Sequence, residues 1–439
     1  MSAAPTASSD SRDSGRPLWA ASAPPAEDPP PLEGVNETEV VVIGAGFSGL
    51  AAALALAERR VPVVVLEAGS PGAGASGLSG GQVIPGLRHH PADLVAAYGQ
   101  TLGLRLHAFG AGAADALWDI VDRHAIACDA DRGGWVQGAE NAAALAEAGR
   151  RVRSWQAIGA PVDLLDRDET RARTGAEGYV GGWIHRGGGV VQPLAFARGL
   201  AAAAVAAGAR LHGHSAALRI LADGAGWRVE TVRGAVRARR VLIATNALAG
   251  TLWPGLARSI LPVWSYQAAT APGTAPAHGL MVGAAAVSDT RRVLRYFRRD
   301  AAGRVVVGGK GLLRAPRSEG DFALQRRMIG RLFPALADAP FAHRWGGQVA
   351  VTLDRLPRLF ALAPGVWATI GCNGKGVAWC TAQGAPLAAL LSGTPARDLP
   401  LPPEERLREI PFHALKTVYA AVGSLWLRLQ DRFADPAGA

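Results

Sequence analysis

Gly44-Ala45-Gly46-Phe47-Ser48-Gly49 follows the β-branched run Val40-Val41-Val42-Ile43, and an acidic residue, Glu67, closes the next apolar run at 61–66. These residue types at this spacing suit one task, the grip of a dinucleotide. Gly44 permits a tight turn from strand to helix, Gly46 lets the backbone approach a pyrophosphate, and Gly49 lets the helix pack against the sheet. The helix start offers N–H groups and a partial positive charge to phosphate oxygens. Glu67 ends the second strand, where its carboxylate can accept hydrogen bonds from ribose hydroxyls. G-x-G-x-x-G alone is a weak signal; a strand before it, a helix after it and an acid at the right distance make it a strong one.

Two further bare stretches could face the same ligand. Residues 71–82 read Pro-Gly-Ala-Gly-Ala-Ser-Gly-Leu-Ser-Gly-Gly-Gln, and Gly371-Cys372-Asn373-Gly374-Lys375-Gly376 lies between an apolar strand starting at 366 and a helix. Backbone this bare allows a large group to come close. The elements that must position them follow from period and punctuation. Strand 40–43, helix 50–60 and strand 61–66 form a first βαβ unit. Helices are expected over 91–98, 102–124 and 141–158, a strand over 133–138, and a glycine-rich strand pair over 178–191. A helix runs from Pro193, at its first turn, to about residue 207. Strand 209–214, a hairpin (227–231 with 234–239) and a buried strand, 241–247, come next. Strands at 293–298 and 304–308 and an amphipathic helix at 322–333 complete the reading. No internal repeat is visible.

The chain has 439 residues, 49% hydrophobic and 19% charged, enough for two domains of a globular protein. No long uncharged apolar run predicts a transmembrane segment, and no basic start with an apolar core predicts a secretory signal. Residues 1–33, rich in Ser, Pro and Ala, are expected to be too poor in apolar side chains to fold. Three cysteines make no disulfide framework and no zinc spacing. His89-His90, His212 and His214 have helix or strand spacing and are expected to have no carboxylate partners, so no metal site is expected. A cytoplasmic location fits this cysteine usage. The formal charge of +10 is almost all Arg, since Lys occurs only at 310, 375 and 416. The densest Arg stretch, 291–299, sits in no nucleic-acid motif and is expected to be a solvated face or a lining for an anionic substrate, not a nucleic-acid site.

The distribution of the dinucleotide elements selects the cofactor. A strand at 40, another at 241 and a glycine turn at 371 describe a split nucleotide domain wrapped around a second domain. No second G-x-G-x-x-G with a downstream acid appears, so no separate pyridine-nucleotide site is expected. FAD is the expected cofactor, reduced by the substrate itself.

With these motifs the chain resembles the FAD-dependent oxidases of the D-amino-acid oxidase and glycine oxidase superfamily, and within it the gamma-glutamylputrescine oxidases. The resemblance rests on Leu18-Trp19-Ala20-Ala21-Ser22-Ala23, the βαβ unit, residues 74–82 (usually G-A-S-G-R-N-G-G-Q), Trp345-Gly346-Gly347, Leu356-Pro357 and the 371–376 turn (usually G-C-S-G-H-G). It implies a discontinuous Rossmann-like α/β FAD-binding domain (37–90, 191–250, 342–395) and an α+β substrate domain with an antiparallel sheet (91–190, 251–341). A tail (1–36) and a C-terminal helical segment (396–439) would flank them. It implies that Gly44, Gly46, Ser48 and Gly49 hold the pyrophosphate and that Glu67 and Ala68 take the adenosine ribose. Ala217 would offer its backbone to adenine. Ala75, Ser76, Gly80, Gly81 and Gln82 would lie along the ribityl chain and ring, and Gly374, Lys375, Gly376 and Val377 at the flavin's pyrimidine edge. Phe47, Ser79, Thr245 and Gly371 complete the expected cofactor set.

Catalysis in such enzymes resembles hydride transfer from an amine carbon to flavin N5, with the imine then hydrolysed and oxygen reduced to hydrogen peroxide. The protein orients the C–H bond and excludes water. Tyr296, Gln348, Trp264 and Trp345 are candidates for the wall facing the flavin, and Lys310 for electrostatic help to oxygen. This chain departs from the family at Leu78-Ser79, at Lys375 in place of His, and after the W-x-G, where Gln348-Val349-Ala350-Val351-Thr352 carries no Arg for a substrate carboxylate. The last departure points to an amine, gamma-glutamylputrescine-like or related, rather than to an α-amino acid recognised in that manner. Two alternatives are an amino-acid dehydrogenase passing electrons to a quinone and a non-catalytic FAD-binding protein. Residues 412–433 place Leu415, Val418, Tyr419, Val422, Leu425, Trp426 and Leu429 on one helical face, expected to pack on the domain or a dimer partner, with peripheral membrane contact as the alternative.

Overall fold

Val40, Val41, Val42 and Ile43 are apolar without alternation because both faces of their strand are covered, the signature of a central strand in a parallel sheet. The computed structural model describes residues 17–416, 418–419, 421–423 and 426. In it Gly34–Ile43 lies between Gly234–Ile243 and Val63–Leu66, parallel to both. The sheet order is Arg358–Ala363, Val366–Ile370, Gly234–Ile243, Gly34–Ile43, Val63–Leu66, Arg210–His212, and only Arg358–Ala363 runs antiparallel on that path. Its strands come from distant stretches of chain, so the long connections between them carry the second domain. The helix Phe47–Glu58 is built of small and apolar residues and is buried along nearly its whole length. It packs against Pro193–Ala206 and Gly384–Leu391.

A second, mostly antiparallel sheet runs in the order His343–Val351, Leu261–Ala269, Val305–Lys310, Arg295–Arg299, Ala286–Asp289, Trp135–Ala139, Gly181–His185, Val162–Leu165, with one parallel pair between Ala286–Asp289 and Trp135–Ala139. One face carries Tyr266, Phe297 and Val307 into a core with Met328 and Ile329 of the helix Ala323–Leu332. The other face looks toward the loops of the first sheet.

Several expectations change. Residues 17–36 are not an unfolded tail: Leu18–Ser22 is a helical turn whose Leu18 and Trp19 are buried, and Leu32 is buried too. Two large apolar residues in a proline-rich stretch find partners far along the chain, which local composition does not reveal. The strand His343–Val351 belongs to the second sheet, although 342–395 reads as cofactor domain. Conversely Leu94, Leu106, Leu117 and Val121, from 91–124, share the core of Leu50 and Leu54 in the first domain. The helix expected over 102–124 is two, Gln100–Ala111 and Ala113–Arg123, broken at Gly112. The strands of 178–191 do not pair with each other: Gly181–His185 joins the second sheet, and Gly189–Val190 pairs with Gln82–Val83. Arg298 and Arg291 are buried, so the Arg stretch is no solvated face. Arg291 and Arg295 meet Glu140, and Arg298 donates to Val191 O at 2.6 Å. Among the described residues of the C-terminal segment, Leu415, Val418, Val422 and Trp426 are exposed rather than packed on the domain; Leu425 and Leu429 lie outside the described residues. No helix among them is long and apolar enough to cross a membrane.

Candidate functional site

The first glycine turn opens a cleft of about 380 Å³ lined by residues 43–48, Glu67, Ala68, Ala75, Ser76, Ala217 and Thr245. Gly44 has φ 105°, and its N–H donates to Leu66 O at 2.8 Å, which closes the strand ends together. At Gly49 a Cβ would stand 1.9 Å from Gly44 O, so only glycine lets the helix seat on the turn. The helix Phe47–Glu58 has no acidic residue in its first turn and a glycine at its N-cap; Ser76 Oγ takes the Phe47 N–H, and the following first-turn N–H groups face an incoming anion. Glu67 staples the turn: one carboxylate oxygen accepts from Ala45 N at 2.7 Å and the other from Gly69 N at 3.0 Å. Each oxygen keeps a lone pair for a hydroxyl. The Thr245 hydroxyl, on the cleft wall, is buried without a partner.

Beyond this cleft the loop 78–82 meets the inner face of the second sheet. Directly paired residues share a face, so the register puts Trp345, Gln267, Tyr296 and Ser288 in one row, with Ser265 and Lys310 paired in the next. Gln267 Nε2 donates to Leu78 O at 2.7 Å. Tyr296 lies across Gly308, where a Cβ would stand 2.1 Å from its ring, and its hydroxyl is 2.8 Å from Ser265 Oγ. Ser265 Oγ in turn donates to Gly309 O at 3.2 Å. Burial pushes the Tyr296 phenol up to about 12, so it remains protonated.

The second glycine turn closes the far end. Gly371 and Gly374 have φ of 80° and 85°, and Gly371 N donates to Asn246 Oδ1 at 2.9 Å, tying this turn to the end of the strand Gly234–Ile243. The helix begins at Gly376, two residues later than Gly374. Lys375 bends away from it: Nζ is 3.3 Å from Pro85 O and 5.5 Å from the Trp135 ring centroid. Burial, then Arg151 and Arg88, push its ammonium down to about 7. Cys372 and Cys380 flank Gly376, where a Cβ would stand 3.4 and 3.5 Å from their sulfurs. A hydrogen bond from Cys380 lowers the Cys372 thiol and raises that of Cys380.

Residues 39–390 match the family of FAD dependent oxidoreductases. The chain belongs to this family. This FAD-dependent oxidoreductase is 30% identical to gamma-glutamylputrescine oxidoreductase of Escherichia coli (strain K12), over 92% of its own length and 95% of that protein's. It is 31% identical to the probable oxidoreductase OrdL of Rhizobium meliloti (strain 1021), over 92% and 94%. Its fold is similar to that of glycine oxidase from Geobacillus kaustophilus, with a TM-score of 0.71 at 24% identity over 85% of this chain and 100% of that one. The cofactor is FAD, and the residues present fit it: a glycine turn, a helix start with no acidic residue, and the orphaned Thr245 hydroxyl in one cleft.

The FAD-dependent oxidoreductase brings Gly44, Gly46, Phe47, Ser48, Glu67, Ala68, Ala75, Ser76, Ala217 and Thr245 together in that cleft, with Gly49 just behind it. Ser76 Oγ accepts from Phe47 N at 3.1 Å. Gly80 and Gly81 line the sheet contact, where Arg298 donates to Gly80 O and Val191 N to Gly81 O. Ser79 receives Trp19 Nε1 on its carbonyl at 2.8 Å. Gln82 is turned away: its amide nitrogen is spent on Val287 O and Phe297 O. Val377 packs its side chain into the first core. Gln348 pairs with Trp264, and sheet alternation puts both on the face opposite Leu78, with Tyr266 and the helix Ala323–Leu332. Trp345 does face inward, but its indole donates to Leu78 O and packs edge-on against Trp19. Ser265, Gln267, Asn246, Trp135 and His185 escaped the sequence reading. Of these only Asn246 left a sign in the sequence, an Asn directly after a buried strand, a residue type that tolerates the φ of 48° found there.

Proposed function

We propose that this enzyme oxidises the C–N bond of an amine to an imine, which water then hydrolyses, and that oxygen takes up the electrons as hydrogen peroxide. FAD, when bound, supplies the hydride acceptor. In this reading the N–H groups of Gly46 and Ser48 hold the pyrophosphate, Glu67 and Ala68 the ribose, Ala217 the adenine, and the 371–377 turn the flavin's pyrimidine edge. The inner sheet face supplies the wall against which the substrate C–H is oriented, through Tyr296 and Ser265, with Lys310 paired beside Ser265.

One observation carries this reading. The Tyr296 hydroxyl is engaged with Ser265, itself engaged with Gly309 O, and the phenol is pushed up to about 12. The Tyr296–Ser265 pair therefore presents neutral groups that orient a substrate and do not remove its proton, which suits hydride loss from a free-base amine. On the strand His343–Val351 the lone Arg, Arg344, pairs with Glu319. That argues against an α-carboxylate clamp from this strand. The likeness to gamma-glutamylputrescine oxidoreductase supports an amine. Anaerobic reduction of the visible flavin band, screened over polyamines, acylated polyamines, N-methyl amino acids and D-amino acids, tests it. Bleaching by α-amino acids alone contradicts it. A dehydrogenase feeding a quinone is the second reading, favoured by the exposed apolar face of Leu415, Val418, Val422 and Trp426. Dye reduction without peroxide would select it.

A further inference from the structure

The indole of Trp19 reaches the loop 78–82 from a stretch of chain that precedes the first strand and lies upstream of residues 39–390, the span that matches the family. We propose that Trp19 is a positioning residue for the flavin: by holding the Ser79 carbonyl it aims the Gly80 N–H at the flavin ring. The inference rests on the reading in which Gly80 and Gly81 lie along that ring, and it names the side chain that sets the contact.

Three consecutive carbonyls of the loop are held by side chains from outside it. Leu78 O accepts from Gln267 Nε2 at 2.7 Å and from Trp345 Nε1 at 3.2 Å. Ser79 O accepts from Trp19 Nε1 at 2.8 Å. Gly80 O accepts from Arg298 at 3.2 Å. None of the described peptide bonds is cis, so each carbonyl points opposite to the N–H of the residue that follows it. The three N–H groups directed in this way have different fates. Ser79 N returns to Ser76 O at 3.3 Å, and Gly81 N meets Ser79 Oγ at 3.3 Å. The Gly80 N–H stands opposite the carbonyl that Trp19 holds, and it has no acceptor among the described residues. Of the three amides it is the one left for a ligand.

Gly80 also lies against the wall that carries Tyr296. A Cβ there would stand 3.0 Å from the Tyr296 ring and 3.6 Å from Gln267 Oε1. The bare backbone therefore sits between the strap that carries Trp19 and the sheet face that orients the substrate.

Trp19 cannot follow a moving loop, because it is fixed on several sides. It is 1% exposed. Its own carbonyl accepts from Gln192 Nε2 at 2.9 Å, and Gln192 Oε1 accepts from Ala195 N at 2.7 Å at the start of the helix Pro193–Ala206. Its ring meets Trp345 edge-on at 5.7 Å, and the Arg298 guanidinium lies 5.0 Å from the ring centroid. A donor packed this way sets the direction of the peptide it holds.

Amide hydrogen exchange of the full chain, with and without FAD and resolved to Gly80 by overlapping peptides, tests the aim in the wild-type protein. Exchange at Gly80 is expected to slow by on the order of tenfold or more with FAD and to stay unchanged with ADP, which carries the adenine half alone. Trp19→Phe keeps an aromatic ring in the packed site and removes the donor. It should weaken FAD by about tenfold, leave ADP affinity within about twofold of wild type, and erase the slowing at Gly80. A general loosening of the fold would weaken both ligands alike. Thermal unfolding reports whether Trp19→Phe holds its fold, and the wild-type exchange carries the test if it does not. Equal weakening of FAD and ADP in Trp19→Phe, or an unchanged FAD affinity, overturns the proposal. A Gly80 amide that exchanges alike with and without FAD also overturns it. Slowing at the 371–377 turn in that same experiment would leave the placing of the flavin intact, whereas slowing confined to Gly46 and Ser48 would remove that placing as well.

Discussion

Replacing Gly49 by Ala tests the lock between helix and glycine turn. The new Cβ would stand 1.9 Å from Gly44 O and 3.2 Å from Gly44 C, against an ordinary contact distance starting at 3.4 Å. Both near atoms are backbone, so no rotamer relieves the clash and the two segments must part by about 1.5 Å. Overpacking of this kind costs about 1–3 kcal/mol, and the rigid neighbours put Gly49→Ala at the upper end. The same movement carries the first helical turn away from the phosphates. Hydrogen bonds to a charged group contribute about 1.5–3 kcal/mol each, so misaligning two weakens FAD by about a hundredfold or more. Gly46→Ala is the control. Its Cβ meets Ser76 Oγ at 2.9 Å, the end of a rotatable side chain. It should leave the Tm near wild type while still weakening FAD, because the methyl group occupies the approach to the turn. Titration of apoprotein with FAD, read by flavin fluorescence, and a thermal melt of each variant give both numbers. A Gly49→Ala protein that binds FAD within about threefold of wild type would refute the reasoning.

Other outcomes follow from single contacts. Trp19→Ala removes a buried indole that donates to Ser79 O and packs on Trp345; it should cost about 3–5 kcal/mol by denaturant unfolding and loosen FAD, since Ser79 belongs to the loop beside the sheet. Tyr296→Phe breaks the bond to Ser265 and should lower kcat with FAD affinity unchanged, measured by single-turnover flavin reduction. Lys375 sits at about 7, below its ordinary 10.5, facing Arg151, Arg88 and His185; it is charged below that pH. By the same shift the unfolded chain holds a proton that the folded one has released between about 7 and 10.5, so Lys375 makes the fold more stable as pH rises through that window.

The cofactor turn was legible because its logic is local: Gly44, Gly46, Gly49 and Glu67 sit within one strand–helix–strand unit, where each glycine answers a contact close in sequence. The second turn was legible as bare backbone, but the direction of Lys375 was not. Its partners, Pro85 and Trp135, come from loops and sheets that only the tertiary fold assembles. Gln348 shows the limit most sharply. It was a candidate for the flavin wall, yet a strand alternates faces, and the register with Leu261–Ala269 puts Gly347 inward and Gln348 outward. Trp19 was hidden by its proline-rich surroundings, since burial depends on Trp345 and Arg298 and not on neighbours in sequence. Ser265 and Gln267 are ordinary strand residues until pairing sets them beside Tyr296 and Leu78.

Anaerobic mixing of the purified FAD-loaded enzyme with polyamines and acylated polyamines, followed by visible absorption, decides whether an amine reduces the flavin. Full loss of the oxidised flavin band is expected, with its return, together with peroxide, when oxygen is admitted. A band untouched by every amine offered, in protein whose flavin dithionite still reduces, would contradict it.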